Sequence, residues 1–287
     1  MRNKKTGIFF GAIMIFLVLL TLGCSNGDSA NDCDVDEKKR DPQEDTGEET
    51  NAEEKIIDIE YTDDGYIGEL SFEETTWFDE DGRQMVANTN SILVLVNKNR
   101  NLPSDYKPDD LVAPDVLFSF SEDVPKRYIR EPAALALEKL FKAAEKEGHV
   151  LYGYSGYRSY ETQRAIFERR AQERGIEEAN KTTAFPGQSE HQTGLAMDIT
   201  SESVSFRLAT AFGQTEEGKW IKENAHLYGF IVRYPEGSEH ITGYSYEPWH
   251  LRYIGRQAAE LLHKHNLTLE EFFHEVYDYP LKVSNLS

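Results

Sequence analysis

An α+β fold is predicted, a compact domain built on a small antiparallel sheet flanked by helices, and three observations predict it. Segments of helical and strand periodicity alternate irregularly, without the repeating strand-helix-strand unit of a parallel sheet. The strand candidates are short apolar runs bounded by turn residues, and no internal repeat is present. Residues Ile56 to Asn97 alternate apolar and polar with turn signals at Asp63-Asp64-Gly65 and Asp81-Gly82, ending in the run Ile92 to Val96, which suggests strands or a hairpin entering the main domain. Pro103, Pro108 and Pro114 then punctuate an irregular segment. Pro132 to Gly148 reads as an amphipathic helix with Leu135, Leu137, Leu140, Phe141 and Ala144 near one face. Val150 to Tyr154 is a strand candidate, and Ser159 to Arg174 a second helix, capped by Ser159 and closed by Gly175. Leu195, Met197 and Ile199 alternate, so Asp198 lies on the opposite face of a strand that packs on the core. Phe206 to Tyr228 reads as helix, Gly229 to Tyr234 and Trp249 to Tyr253 as strands, and Ile254 to His265 as a further helix.

The first third of the 287 residues is organised differently. Arg2, Lys4 and Lys5 precede an apolar run from Ile8 to Leu22, the pattern of a secretory signal, and the run is short for a spanning helix. Thr21-Leu22-Gly23-Cys24 resembles a bacterial lipobox, which implies lipidation of Cys24 and anchorage at the outer face of the cytoplasmic membrane. From Ser25 to Lys55 large apolar residues are nearly absent, a composition that cannot repay the entropy of ordering. The expected division is therefore a signal over 1–23, an acidic tether over 24–55, a strand-rich extension over 56–96 and the main domain over 97–287. A net charge of −20 with no basic stripe excludes electrostatic binding of nucleic acid. Cys24 and Cys33 are the only cysteines, so neither a disulfide framework nor a thiolate metal cluster is available.

Chemistry concentrates in two stretches, Ser189 to Asp198 and Glu247-Pro248-Trp249-His250. A catalytic zinc site takes three protein ligands and keeps a fourth position open. His191, Asp198 and His250 can supply those ligands and Glu247 a neighbouring base. His191 and Asp198 are too far apart in sequence for one helical turn, so a loop followed by a strand must bring them together. The other histidines read as ordinary core or surface residues. His274-Glu275 begins an HExxH string that lacks its second histidine.

Read together, Ser-x-His-x-x-Gly-x-Ala-x-Asp and Glu-x-Trp-His resemble the M15 zinc carboxypeptidases, which include VanY-type D-alanyl-D-alanine carboxypeptidases and bacterial L,D-carboxypeptidases. The resemblance extends through Ser155 to Tyr160, Pro186-Gly187-Gln188, Asn224 to Phe230, Arg233-Tyr234-Pro235 and Ile241 to Tyr244, spanning about Asn97 to Phe273. It implies a Zn²⁺ cofactor on His191, Asp198 and His250, Glu247 as the base toward the attacking water, and Arg158 supporting the developing oxyanion. Gln163 and Ser189 are substrate contacts by the same analogy; Tyr246 lines the pocket and Trp249 packs to orient His250. The implied substrates are peptidoglycan stem peptides losing a C-terminal D-alanine, by D,D-cleavage or, as the alternative, L,D-cleavage of a tetrapeptide stem. A non-catalytic zinc-bearing peptidoglycan-binding module is the reading from another class, disfavoured by Glu247 and Arg158. Ser104-Asp105-Tyr106-Lys107 spells SxxK, yet the downstream motifs of a serine-type carboxypeptidase are absent.

Overall fold

The computed structural model describes residues 75–277, which lie within the compact unit Ile59–Ser287. The signal, Cys24 and the tether fall outside the described residues, as does the extension before Thr75. The described chain opens with a hairpin, β1 (Thr76–Phe78) and β2 (Gln84–Val86). Its turn is at Asp79 to Gly82, where Gly82 takes φ +75° and Asp79 accepts from the Asp81 and Arg83 amides. Ile92 to Val96 forms no ladder; Leu93 to Val96 are buried in turns and extended backbone, filling the core without pairing. A run of four or five apolar residues signals burial more surely than it signals a strand.

A two-stranded sheet of β3 (Leu111–Val112) and β4 (Ile129–Arg130) leads into α1 (Glu131–Lys146). Pro132 in the first turn suits the helix start, where no amide hydrogen is needed. Ala133, Ala134, Leu137, Leu140, Phe141 and Ala144 make its buried stripe, whereas Leu135, expected inside, is 53% exposed because it lies off that stripe. β5 (Tyr152–Ser155) is followed by α2 (Tyr160–Arg174), whose Ser159 cap accepts from the Thr162 amide and whose closing Gly175 takes φ +86°. α3 (Ile176–Thr182), a 3-10 turn at Glu190–Thr193 and β6 (Ala196–Thr200) come next.

Phe206 to Tyr228 is not one helix. Ser205 and Phe206 take positive φ, a 3-10 turn spans Thr210–Gln214, and the α-helical part is α4 (Glu216–Asn224), followed by another 3-10 turn. Thr215 caps α4 through the Gly218 amide, and Gly218 permits the close approach, since a Cβ there would strike the Phe212 carbonyl. β7 (Phe230–Tyr234), the short α5 (Glu239–Thr242), β8 (Glu247–Tyr253), α6 (Arg256–His265) and α7 (Leu269–Tyr277) complete the described chain.

The main sheet is antiparallel with order β5-β6-β8-β7. Leu195, Met197, Ile199 and Leu251 face a core shared with α1 and with Phe212, Ile221 and Phe230. A second cluster joins Leu93, Leu95 and Ile231 to Ala258, Ala259 and Leu262 of α6 and to Leu269, Phe272 and Phe273 of α7. β6 is buried along its whole length, so the polar Asp198 and Thr200 on its other face are enclosed as well. Among the described residues no helix is long and apolar enough to cross a membrane.

Candidate metal centre and catalytic site

Strand register brings the expected residues together. On β6 Asp198 pairs with His250 of β8 on one side and with Ser155 of β5 on the other. Side chains of directly opposed strand residues stand within about 4.5–5.5 Å at Cβ, close enough to share one ion. His191 enters from the 3-10 turn, which ends at Gly194 in left-handed backbone (φ +69°). A Cβ on Gly194 would come within 2.9 Å of Arg130 and Leu111 side-chain carbons, so the glycine of the His-x-x-Gly motif answers a crossing of chain segments. Arg158 is tied into this turn, its amide donating to the His191 carbonyl at 3.1 Å, while the preceding Tyr157 amide donates to the Tyr128 carbonyl at 2.7 Å.

The ligand-capable atoms of His191, Asp198 and His250 all lie within 4.8 Å of one another, and all three residues are buried. His191 Nε2 is 3.4 Å from one Asp198 oxygen and His250 Nδ1 2.9 Å from the other. The rings meet edge-on with centroids 5.0 Å apart. His191 Nδ1 lies 2.8 Å from the Gly156 carbonyl, which fixes that nitrogen as the proton carrier and leaves Nε2 free for a cation. Burial would raise the Asp198 pKa, but His191 and His250 outweigh it and hold the carboxyl well below the usual range. Two imidazoles and an anionic carboxylate, buried and convergent, fit zinc by donor type and number.

Glu247 opens β8 three residues before His250. An odd separation puts two residues on opposite faces of a regular strand. The β7–β8 register slips between Val232 and Tyr234, so that Tyr234 pairs with Glu247, and this irregularity lets Glu247 share the His250 site. Burial, reinforced by Asp198, pushes the Glu247 pKa up to about 7 against the opposing charges of His250 and Arg158. A carboxyl poised there accepts and returns a proton near neutral pH. Burial lowers the Arg158 pKa, and the charges of Asp198 and Glu247 oppose that shift. Its guanidinium donates to Gln163 Oε1 at 2.9 Å and to Ser155 Oγ at 3.2 Å.

Gln163, expected as a substrate contact, is buried and holds Arg158 with its oxygen while its amide nitrogen donates to the Ala184 carbonyl at 2.6 Å. Ser189 is buried immediately before the 3-10 turn. A Cβ on Gly213 would clash with the Tyr246 hydroxyl, so this ring packs on the 210–214 turn. Trp249 is partly buried against the main core. Sequence reasoning missed a charged cluster behind the histidines. Glu190 Oε1 accepts from Arg233 Nε at 2.7 Å and Arg252 Nη1 at 2.8 Å, and its Oε2 lies 3.3 Å from His250 Nε2. The available signal was an arginine next to apolar residues in each of two strands, Arg233 after Ile231-Val232 and Arg252 after Leu251, both fully buried.

An α+β fold with a buried two-histidine, one-carboxylate site beside a free carboxylate defines the class: a metal-dependent hydrolase. Residues 126–256 match the VanY family, described as D-alanyl-D-alanine carboxypeptidase. YodJ of Bacillus subtilis (strain 168) is 45% identical over 281 residues, covering 95% of this chain and 98% of its own. The solved structure of the LdcB LD-carboxypeptidase is 51% identical with a TM-score of 0.69, covering 72% of this chain and 97% of that one. The vancomycin-resistance D,D-pentapeptidase VanY, solved with Zn(II), is 34% identical with a TM-score of 0.52, over 63% of this chain and 97% of that one. The chain belongs to the VanY family of zinc metallo-carboxypeptidases.

Proposed function

We propose that this protein is a zinc-dependent carboxypeptidase that releases the C-terminal D-alanine of peptidoglycan stem peptides. The observation that carries the reading is the convergence of His191, Asp198 and His250 within 4.8 Å, with the charges of Glu247 and Arg158 acting on the same site. His191 through Nε2, His250 through Nδ1 and Asp198 through its carboxylate would hold the metal. Zinc bound there supplies Lewis acidity toward the scissile carbonyl and the attacking water.

The chain's own groups do the rest. Glu247 takes the proton of the water as its oxygen attacks the carbonyl carbon, and returns it to the amine of the departing D-alanine as the C–N bond breaks. Arg158 faces the oxygen that gains negative charge, held there by Gln163 and Ser155, so little reorganisation is needed when that charge appears. By the family resemblance Ser189, just before the 3-10 turn that carries His191, would contact the substrate.

Of the two stereochemical readings, the 51% identity to the LdcB LD-carboxypeptidase, against 34% to the D,D-pentapeptidase, supports cleavage of a tetrapeptide stem to a tripeptide. Incubation of the zinc-loaded protein with synthetic tetra- and pentapeptide stems, with products weighed by mass spectrometry, tests this. The tetrapeptide is expected to lose one alanine; faster loss from the pentapeptide would establish D,D-specificity, and no cleavage of either would remove the reading. The leader pattern and Cys24 support export and lipid anchorage at the outer face of the membrane, with 24–55 as a tether toward the wall.

A further inference from the structure

We propose that Glu190 is the positioning residue of the metal centre: its carboxylate holds the Nε2 proton of His250 and thereby turns Nδ1 toward the metal. The inference rests on His250 being a zinc ligand, as proposed above. An imidazole offers one nitrogen to a cation only when the other carries the proton, and the acceptor of that proton fixes both tautomer and ring direction. His250 Nδ1 points at Asp198, 2.9 Å away, and Nε2 points at Glu190 Oε2, 3.3 Å away.

Glu190 is built to stay in place. Its two oxygens divide their tasks: Oε1 takes Arg233 and Arg252, leaving Oε2 for His250. The arginines are themselves fixed. Arg252 donates to the carbonyls of Tyr253, Ile92 and Val94, and Arg233 makes a two-pronged contact with Glu270 of α7, 2.7 Å at each prong.

A buried ion cluster gives little net stability over apolar packing of the same volume, whereas removing one member strands the others. Stability alone is therefore a poor account of this cluster, and the direction of Oε2 supplies a better one. His191 shows the alternative arrangement, its outer nitrogen resting on the neutral Gly156 carbonyl.

The test measures zinc affinity of the full chain by competition with a chromophoric chelator, together with the visible spectrum of the cobalt-loaded protein. Glu190→Asp keeps the charge for the arginines but shortens the reach to His250; Glu190→Gln keeps the length but removes the charge. Both are expected to weaken zinc binding by about 10- to 100-fold and to alter the cobalt bands. Glu270→Gln breaks the same cluster at its far end, and is expected to lower the melting temperature while leaving zinc affinity within about twofold. Wild-type affinity in the Glu190 variants, or an equal loss in Glu270→Gln, overturns the proposal. Should the Glu190 variants fail to fold, ¹⁵N-histidine NMR of the zinc-loaded wild type decides: a protonated Nε2 on His250 is required, and a protonated Nδ1 refutes it. A wild-type chain that binds no zinc at His250 would instead refute the reading on which this rests.

Discussion

The metal-holding end and the reacting end of this site are built differently. Asp198 and His250 face each other across a regular stretch of the β6–β8 ladder, and every residue of β6 is buried. Arg158 and Glu247 follow or begin strands at their irregularities: β5 slips between Gly153 and Ser155, and β7–β8 slips between Val232 and Tyr234. A regular ladder suits groups that must keep a fixed mutual distance. A slip suits groups that must be turned away from the alternation of the strand and aimed at a substrate.

Breaking the regular end is expected to have the largest effect. Asp198→Asn removes the anionic ligand on which both histidines converge, so zinc content by elemental analysis should collapse and D-alanine release become undetectable. Retention of stoichiometric zinc would show that the ladder pair is not the metal end. Glu247→Gln, at the irregular end, should keep zinc and lose about 10²- to 10⁴-fold in turnover. In the wild type, Glu247 acts as a base only after losing its proton, so kcat/KM should rise with pH through a midpoint near 7, the position that burial imposes on this carboxyl. An unchanged rate at pH 5 would remove Glu247 from that role. The smallest effect belongs to Gln163→Met, which keeps the buried volume but releases Arg158 from its hydrogen bond. A loss of about tenfold in kcat with unaltered zinc content is expected, whereas a change confined to KM would return Gln163 to direct substrate contact.

Much of both ends was legible in the sequence, for different reasons. The alternation of Leu195, Met197 and Ile199 announced the strand and therefore the face of Asp198, because a period of two is unambiguous when one face is apolar. Ser159 and Gly175 marked the limits of α2 by cap and closing conformation. The apolar run at Ile92 to Val96 misled, since burial without a partner strand leaves no trace in periodicity. Phe206 to Tyr228 misled in the opposite way: its apolar spacing suits a helix, yet the positive φ of Ser205 and Phe206 and two 3-10 turns divide it. The Glu190 cluster was hidden because ion pairs between residues 43 and 62 positions apart have no local pattern. Neither register slip could be foreseen, as each depends on which strand lies alongside.

The strand order β5-β6-β8-β7 has a consequence for how the molecule comes to exist. β8 is the last strand of this sheet to be synthesised, yet it lies inside the sheet, between β6 and β7. Asp198 and His250, 52 residues apart in the chain, meet only when β8 inserts, and pairing at that sequence distance carries the cost of closing a long loop first. The chelate is thus absent from the emerging chain and completed in the same step that closes the sheet. Metal capture becomes a late event in biogenesis, available to the finished domain and withheld from its precursors.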